Sequence, residues 1–231
     1  MILCVYALVG LPRPRQKITG IAGERLRGVA LDGVVAIVGE VTRRPAMSTR
    51  NLRRYAAVVE SIAARVPAIL PVRFGTTFDD AAELTLVLRS RAAATRRRLR
   101  AVRRRTQMTI RFVSESESGD ASRASQTRAA SRARVRLEHK ATQGTQYLQR
   151  RLAVLRTMRE VPELTPIRPA IRSFVKDERI ERRRGVITVH HLIPRSMAER
   201  YRAAVERGGE KIGVRLFVSG PFAPYAFADN W

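Results

Sequence analysis

The stretch Ile69-Leu70-Pro71-Val72-Arg73-Phe74-Gly75-Thr76-Thr77-Phe78 reads as a buried strand that feeds a helix. Ile69, Leu70, Val72, Phe74 and Phe78 supply apolar and β-favouring side chains over a strand-like length. Pro71 has no backbone donor, which confines it to the start or an edge of a strand. Gly75 permits a turn that a side chain would obstruct. Thr77-x-x-Asp80 or Asp80-x-x-Glu83 then offers the acceptor and the acid that satisfy orphan N–H groups at a helix start. Arg73 is the odd member, a permanent charge in an apolar run. Either it faces solvent, or backbone carbonyls or a carboxylate clamp it.

Upstream, Ile2 to Val9 forms a first strand that ties down the N-terminus, and Arg13 to Gly28 is a polar, glycine-punctuated connection. Val29 to Val41 reads as a hairpin turning at Asp32-Gly33, with one arm able to bury both faces. Ser48 is placed to cap a helix whose Leu52, Tyr55, Ala56, Val59, Ile62, Ala63 and Val66 recur at helical spacing, and Pro67 ends it. Downstream, Leu84, Leu88, Ala92, Leu99 and Val102 mark the buried stripe of a second helix. The opposite face carries Arg96, Arg97, Arg98 and Arg100, followed by Arg103, Arg104 and Arg105. Cations near a helix C-terminus complement its dipole, so a solvated face accounts for them without any ligand; the alternative is an electrostatic surface.

Thr106 to Val113 alternates as a half-buried strand, with Met108, Ile110 and Phe112 against Thr109 and Arg111. Residues 114–131 lose apolar content and read as a flexible insert. Order returns at Gly144-Thr145-Gln146-Tyr147-Leu148, where Leu148, Leu152, Leu155 and Met158 mark a helical face. A helix after Pro166 is expected to bury Ile167, Ala170, Ile171 and Phe174. Val186 to Ile193 is a strand stopped by Pro194. Ser196 caps a helix that buries Met197, Tyr201, Ala204 and Val205, Gly208-Gly209 ends it, and Ile212 to Ser219 is the last strand. The fold class is therefore α+β, divided into an N-terminal α+β domain over residues 1–105 and a second domain over 106–231. The order of elements in the second resembles a ferredoxin-like unit with one strand missing or supplied elsewhere. The tail, residues 220–231, carries Phe222, Tyr225 and Phe227, each too apolar to be left in water, and should latch onto the body.

Composition narrows the function. The 231 residues carry a formal net charge of +25, and only four of the 45 basic residues are lysine. Such a balance suits a polyanion partner, yet the chain has no finger spacing, no basic region with heptads and no strand of stacking aromatics beside arginines. Loose, salt-sensitive association with nucleic acid is expected from charge alone, and an arginine-driven polyanion binder is the alternative function. No phosphate loop, nucleophile elbow or metal-spaced Cys and His set is present, so neither an enzyme nor a cofactor is indicated. His190 and His191 are adjacent in a strand and point to opposite faces, which prevents chelation of one ion. Cys4 lies alone in an apolar strand, which fits a reducing compartment. No stretch reaches the roughly 18 apolar residues of a membrane span, and a cytoplasmic location without a lipid membrane partner is expected.

Three blocks carry a family resemblance. Pro71-Val72-Arg73-Phe74-Gly75-Thr76, Gly144-Thr145-x-Tyr147-Leu148 and Gly220-Pro221-Phe222-Ala223-Pro224-Tyr225-Ala226-Phe227 occur in this order. Together they resemble the GvpF/GvpL family of gas vesicle accessory proteins, from the first strand to Phe227. The resemblance implies a non-enzymatic assembly factor with an N-terminal α+β domain and a C-terminal modified ferredoxin-like domain. It implies binding to the small hydrophobic shell protein and to other accessory proteins, and a place at the vesicle, for one member of the family on its gas-facing side. The arginine excess departs from the family pattern.

Overall fold

The computed structural model describes residues 1–11, 17–113, 161–183, 186–212 and 216–228. The expected insert at 114–131 and the helix through Gly144, Tyr147 and Leu148 lie outside the described residues.

The first sheet is built on β1 (Ile2–Gly10), paired on one side with β3 (Val34–Val41), which in turn pairs β2 (Arg27–Leu31). Asp32 and Gly33, at φ 47° and 77°, make the tight hairpin turn expected between β2 and β3. On its other side β1 pairs antiparallel with β4 (Ile69–Pro71) and β5 (Thr77–Phe78). Helices α1 (Thr49–Ala63) and α2 (Ala81–Val102) pack on opposite faces. That explains why β1 is apolar at nearly every position although its sheet is antiparallel: neither face reaches water. A register shift between Val5 and Ala7 interrupts the alternation, so Leu3, Val5 and Leu8 face α2 while Cys4, Tyr6, Ala7 and Val9 face α1.

Ser48 caps α1 by accepting from the Asn51 N–H, and Tyr55, Val59, Ile62, Ala63 and Val66 bury as expected. Leu52 and Ala56 do not; Leu52 is 42% exposed and Ala56 is exposed as well. Asp80 caps α2 through the Glu83 N–H, and its whole expected stripe is buried, with Thr95 added.

The second sheet is antiparallel with order β7-β8-β6-β9, built from β6 (Arg105–Val113), β7 (Asp177–Arg183), β8 (Val186–Pro194) and β9 (Leu216–Phe222). The missing ferredoxin-like strand is thus β7. It escaped the sequence reading because Asp-Glu-Arg-Ile-Glu-Arg-Arg is charged at every position but Ile180, as suits an exposed edge. The segment after Pro166 forms only the one-turn helix α3 (Arg168–Ile171); Ile167 and Ile171 are buried, Phe174 is half-buried and Ala170 is exposed.

Helix α4 (Ala198–Ile212) departs from expectation at both ends. Ser196 sits inside a 3₁₀ turn without capping it. Gly208 and Gly209 do not end the helix: a Cβ on Gly208 would lie 3.2 Å from Ile167 and one on Gly209 2.7 Å from Leu216, so these glycines let the helix approach its neighbours. Ile212 consequently closes α4, and the last strand starts at Leu216. Strand β6 is central, and its polar side is buried at Gln107 and Thr109 but exposed at Arg111; the tail covers the buried part, where Gln107 accepts from the Ala226 N–H.

Candidate functional site

The quoted stretch is not one strand but a strand interrupted by a turn, running along the free edge of β1. Thr76 returns its N–H and its hydroxyl to the Arg73 carbonyl, at 3.2 and 2.9 Å, while Gly75 sits at φ 84°. These features make a type II turn at Arg73 to Thr76. Val72 N–H bonds the Tyr6 carbonyl and Thr76 accepts from Val5, so the turn is hung on β1 from both ends. Pro71 closes β4 at the edge of the sheet, where no donor is needed. Arg73 is exposed, the first of its two alternatives.

Tyr55, buried on α1, fixes this turn from below. Its hydroxyl donates to the Val72 carbonyl at 2.7 Å, with the Tyr6 carbonyl at 3.0 Å, and its ring stacks on Tyr6 and meets Phe74 edge-on at 5.3 Å. Tyr6 in turn donates to Glu24 and accepts from the Ile21 N–H. Burial pushes the Tyr6 and Tyr55 hydroxyls far above their ordinary range, so both stay protonated donors. Cys4 beside them is raised to about 11 by burial, with Glu24 adding to it, and is an inert thiol.

The tail is latched, though by fewer aromatics than expected. Phe227 is 5% exposed and joins the first-sheet core with Leu192, whereas Phe222 and Tyr225 remain 39% exposed each. Side chains of the body also hold the tail backbone: Ala223 N–H donates to Glu60 Oε1 at 2.9 Å, Ala226 N–H to Gln107 Oε1 at 2.8 Å, and Thr106 Oγ1 to the Phe222 carbonyl at 2.8 Å. Gly220 is the first tail residue and belongs to β9. It has φ 118°, and a Cβ there would lie 2.7 Å from the Gln107 carbonyl and 2.9 Å from Met108 Sδ. Pro221 lines the open pocket between the tail, α1 and Arg195, and Pro224 precedes the 3₁₀ turn that seats Phe227.

Arg195 crosses the seam between the sheets. It donates through Nη1 to the Val66 carbonyl and through Nε to the Arg105 carbonyl, at 3.1 and 3.2 Å. Glu60 faces it; burial raises the Glu60 carboxyl, while the Ala223 N–H and Arg195 oppose that rise. Sequence reading missed Glu60, Gln107 and Arg195. The sequence carried no sharper signal than Gln107 on the polar side of an alternating strand, since a buried amide demands partners.

The arginines divide by geometry. Arg96, Arg97, Arg100, Arg103 and Arg104 are exposed, while Arg98 and Arg105 are half-buried. Arg105 opens β6 and bonds back to the Ala101 carbonyl. Arg104 takes φ 55° to turn from α2 into β6, and its N–H meets the Pro67 carbonyl at 2.6 Å.

His190 and His191 do face opposite sides of β8. His190 meets Gln107 and Thr109. His191, 1% exposed, lies between the Tyr201 hydroxyl and Glu178 Oε2, which Arg168 also grips. The His191 hydrogen bond is the main cause that holds the Glu178 carboxyl below its ordinary range. This network was invisible in sequence, because its members come from four separated segments. Among the described residues no cluster of His, Cys, Asp and Glu could hold a metal ion, and no helix is long and apolar enough to cross a membrane.

Both described family blocks therefore lie at joints: the first ties β1, α1 and the edge turn together, and the last crosses from β9 to the first sheet. Comparison with known proteins covers the chain as a whole. The crystal structure of the gas vesicle protein GvpF from Anabaena sp. PCC7120 is similar with a TM-score of 0.72 at 17% identity, covering 100% of this chain and 99% of that one. The crystal structure of GvpF from Microcystis aeruginosa is similar with a TM-score of 0.72 at 18% identity, covering 99% of each. Individually curated proteins give no significant match. The family model for gas vesicle synthesis protein GvpL/GvpF matches residues 3–229, and the chain belongs to that family.

Proposed function

We propose that this chain is an assembly factor that binds the small hydrophobic shell protein of gas vesicles and assists its entry into the growing wall. The observation that carries the reading is the family match from residue 3 to residue 229, which takes in every joint described above. The physics is consistent. A shell protein that assembles through apolar faces and strand edges aggregates until a partner covers it, by an added strand or a groove. In this reading the protein is not an enzyme and uses no cofactor. Its two halves, 1–105 and 106–231, act as one scaffold in the cytoplasm and at the vesicle, where other accessory proteins are further partners. Sequence-specific nucleic-acid binding has no part in it.

The test is co-expression with the major gas vesicle shell protein. The shell protein should stay soluble and be recovered with this chain, and raised salt should slow capture more than it abolishes the complex, because the contact is mainly apolar with a charged rim. Equal shell solubility with and without this chain, together with no joint recovery at any salt, overturns the reading.

A further inference from the structure

Beside the seam, the C-terminal half of α2 and the ends of β1 and of the β2–β3 hairpin enclose an open pocket of about 260 Å³. Its floor is apolar, with Leu99 and Ala68 buried beneath it and Leu11 exposed at its side. Arg96, Arg100 and Arg103 form one wall: Arg96 and Arg100 stand one turn apart on α2, and Arg103 is its C-cap. Arg96 is held by the Asp32 carbonyl at 3.1 Å, which aims it over the hairpin turn. Among the described residues none of the three is ion-paired with a carboxylate. Three neighbouring cations with no counter-charge repel one another, and an arriving anion relieves that repulsion.

We propose that this pocket is a docking site for an acidic segment of a partner protein, which seats an apolar side chain over Leu99 and Ala68 and its flanking carboxylates on Arg96, Arg100 and Arg103. The proposal rests on the assembly-factor reading only for the identity of the partner. Three observations choose this occupant. The volume falls below the roughly 300–1,000 Å³ of clefts that enclose a whole small molecule, and suits one or two side chains. Among the described residues the lining holds no aromatic ring on which a base could stack, so an oligonucleotide gains charge contacts alone there. Guanidinium forks match carboxylates two bonds at a time, and the chain's net charge of +25 favours encounter with an acidic segment.

Fluorescence anisotropy on the full-length protein tests this with a labelled Glu-Glu-Leu-Leu-Glu-Glu peptide, the same peptide with alanines for leucines, and a six-nucleotide oligothymidylate. The double variant Arg100→Glu/Arg103→Glu should bind the leucine peptide about tenfold more weakly or worse, the effect of losing one charge-assisted contact. Arg53→Glu/Arg54→Glu, the same charge change on the exposed face of α1, should leave it nearly unchanged. The alanine peptide should bind roughly tenfold more weakly than the leucine peptide, as a truncated side chain in an apolar pocket does. Should that double variant fail to fold, the milder Arg100→Gln at an exposed helix position supplies the same charge comparison with a smaller loss. Equal weakening by both charge variants, equal binding of both peptides, or tighter binding of oligothymidylate than of the leucine peptide each overturns the site. Failure of the wild-type chain to capture shell protein removes the assembly reading, while the peptide assay still decides the pocket.

Discussion

Gly220 shows most plainly what a single position does in this chain. Its φ of 118° lies where side chains are strained, and the space a Cβ needs is taken by the Gln107 carbonyl, a backbone atom that cannot swing aside. Gly220→Ala should therefore cost on the order of 3 kcal/mol, combining backbone strain with a displaced β6–β9 contact. A urea unfolding midpoint unchanged from wild type would show that the crossing adapts. Gly75 differs, since its φ of 84° is needed for the turn but nothing lies within 4 Å of a Cβ there. Both glycines were visible in the sequence, and so was the need for a turn at Gly75. What crowds Gly220 was not, because Gln107 is more than a hundred residues away.

Helices were easier to read than strands at the scale of elements. The stripe of α2 and the cap of α1 repeat at intervals a short window captures, and both formed as read. Strand β7 was missed because its pairing with β8 supplies the stability that its charged side chains do not. The tail was read as three buried aromatics and holds by one. Phe227→Ala should accordingly lower stability by about 3 kcal/mol or more, as large buried side chains do, whereas Phe222→Ala and Tyr225→Ala should each cost clearly less. Thermal melting of the three single variants checks the ranking; equal shifts would contradict the difference in burial. With Phe222 and Tyr225 partly exposed, loss of the whole tail reports mainly on Phe227 and the hydrogen bonds to Glu60 and Gln107.

For the molecule as a whole, the seam between the sheets decides how rigid the scaffold is. Leu192 from the second sheet and Phe227 from the tail enter the core built on β1 and α2, so the two sheets share apolar packing. Arg195 adds the polar link, satisfying two carbonyls from opposite sides of the seam beside Glu60. Arg195→Met keeps an unbranched apolar stem but removes the donors, leaving both carbonyls short of a partner and Glu60 without its cation. The expected loss is about 2–3 kcal/mol, read as a lower urea midpoint with faster hydrogen exchange at Ala223. An unchanged midpoint with unchanged exchange would mean that apolar packing alone sets the seam.

The sequence by itself determined the α+β class, the order of most elements, the hairpin, the two helices on the first sheet and the family, because each is written in local periodicity, turn chemistry or short residue blocks. Tertiary structure alone decided that Ile69 to Phe78 splits into two short strands, that Gly208 and Gly209 sit inside a helix, and that β7 completes the second sheet. It also brought Glu60, Gln107 and Arg195 to one seam, and set the arginine wall of α2 over an apolar floor. The reason is common to all of these. Close approach, pairing and polar satisfaction depend on residues far apart along the chain, and a window of sequence carries no record of which distant backbone will arrive beside it.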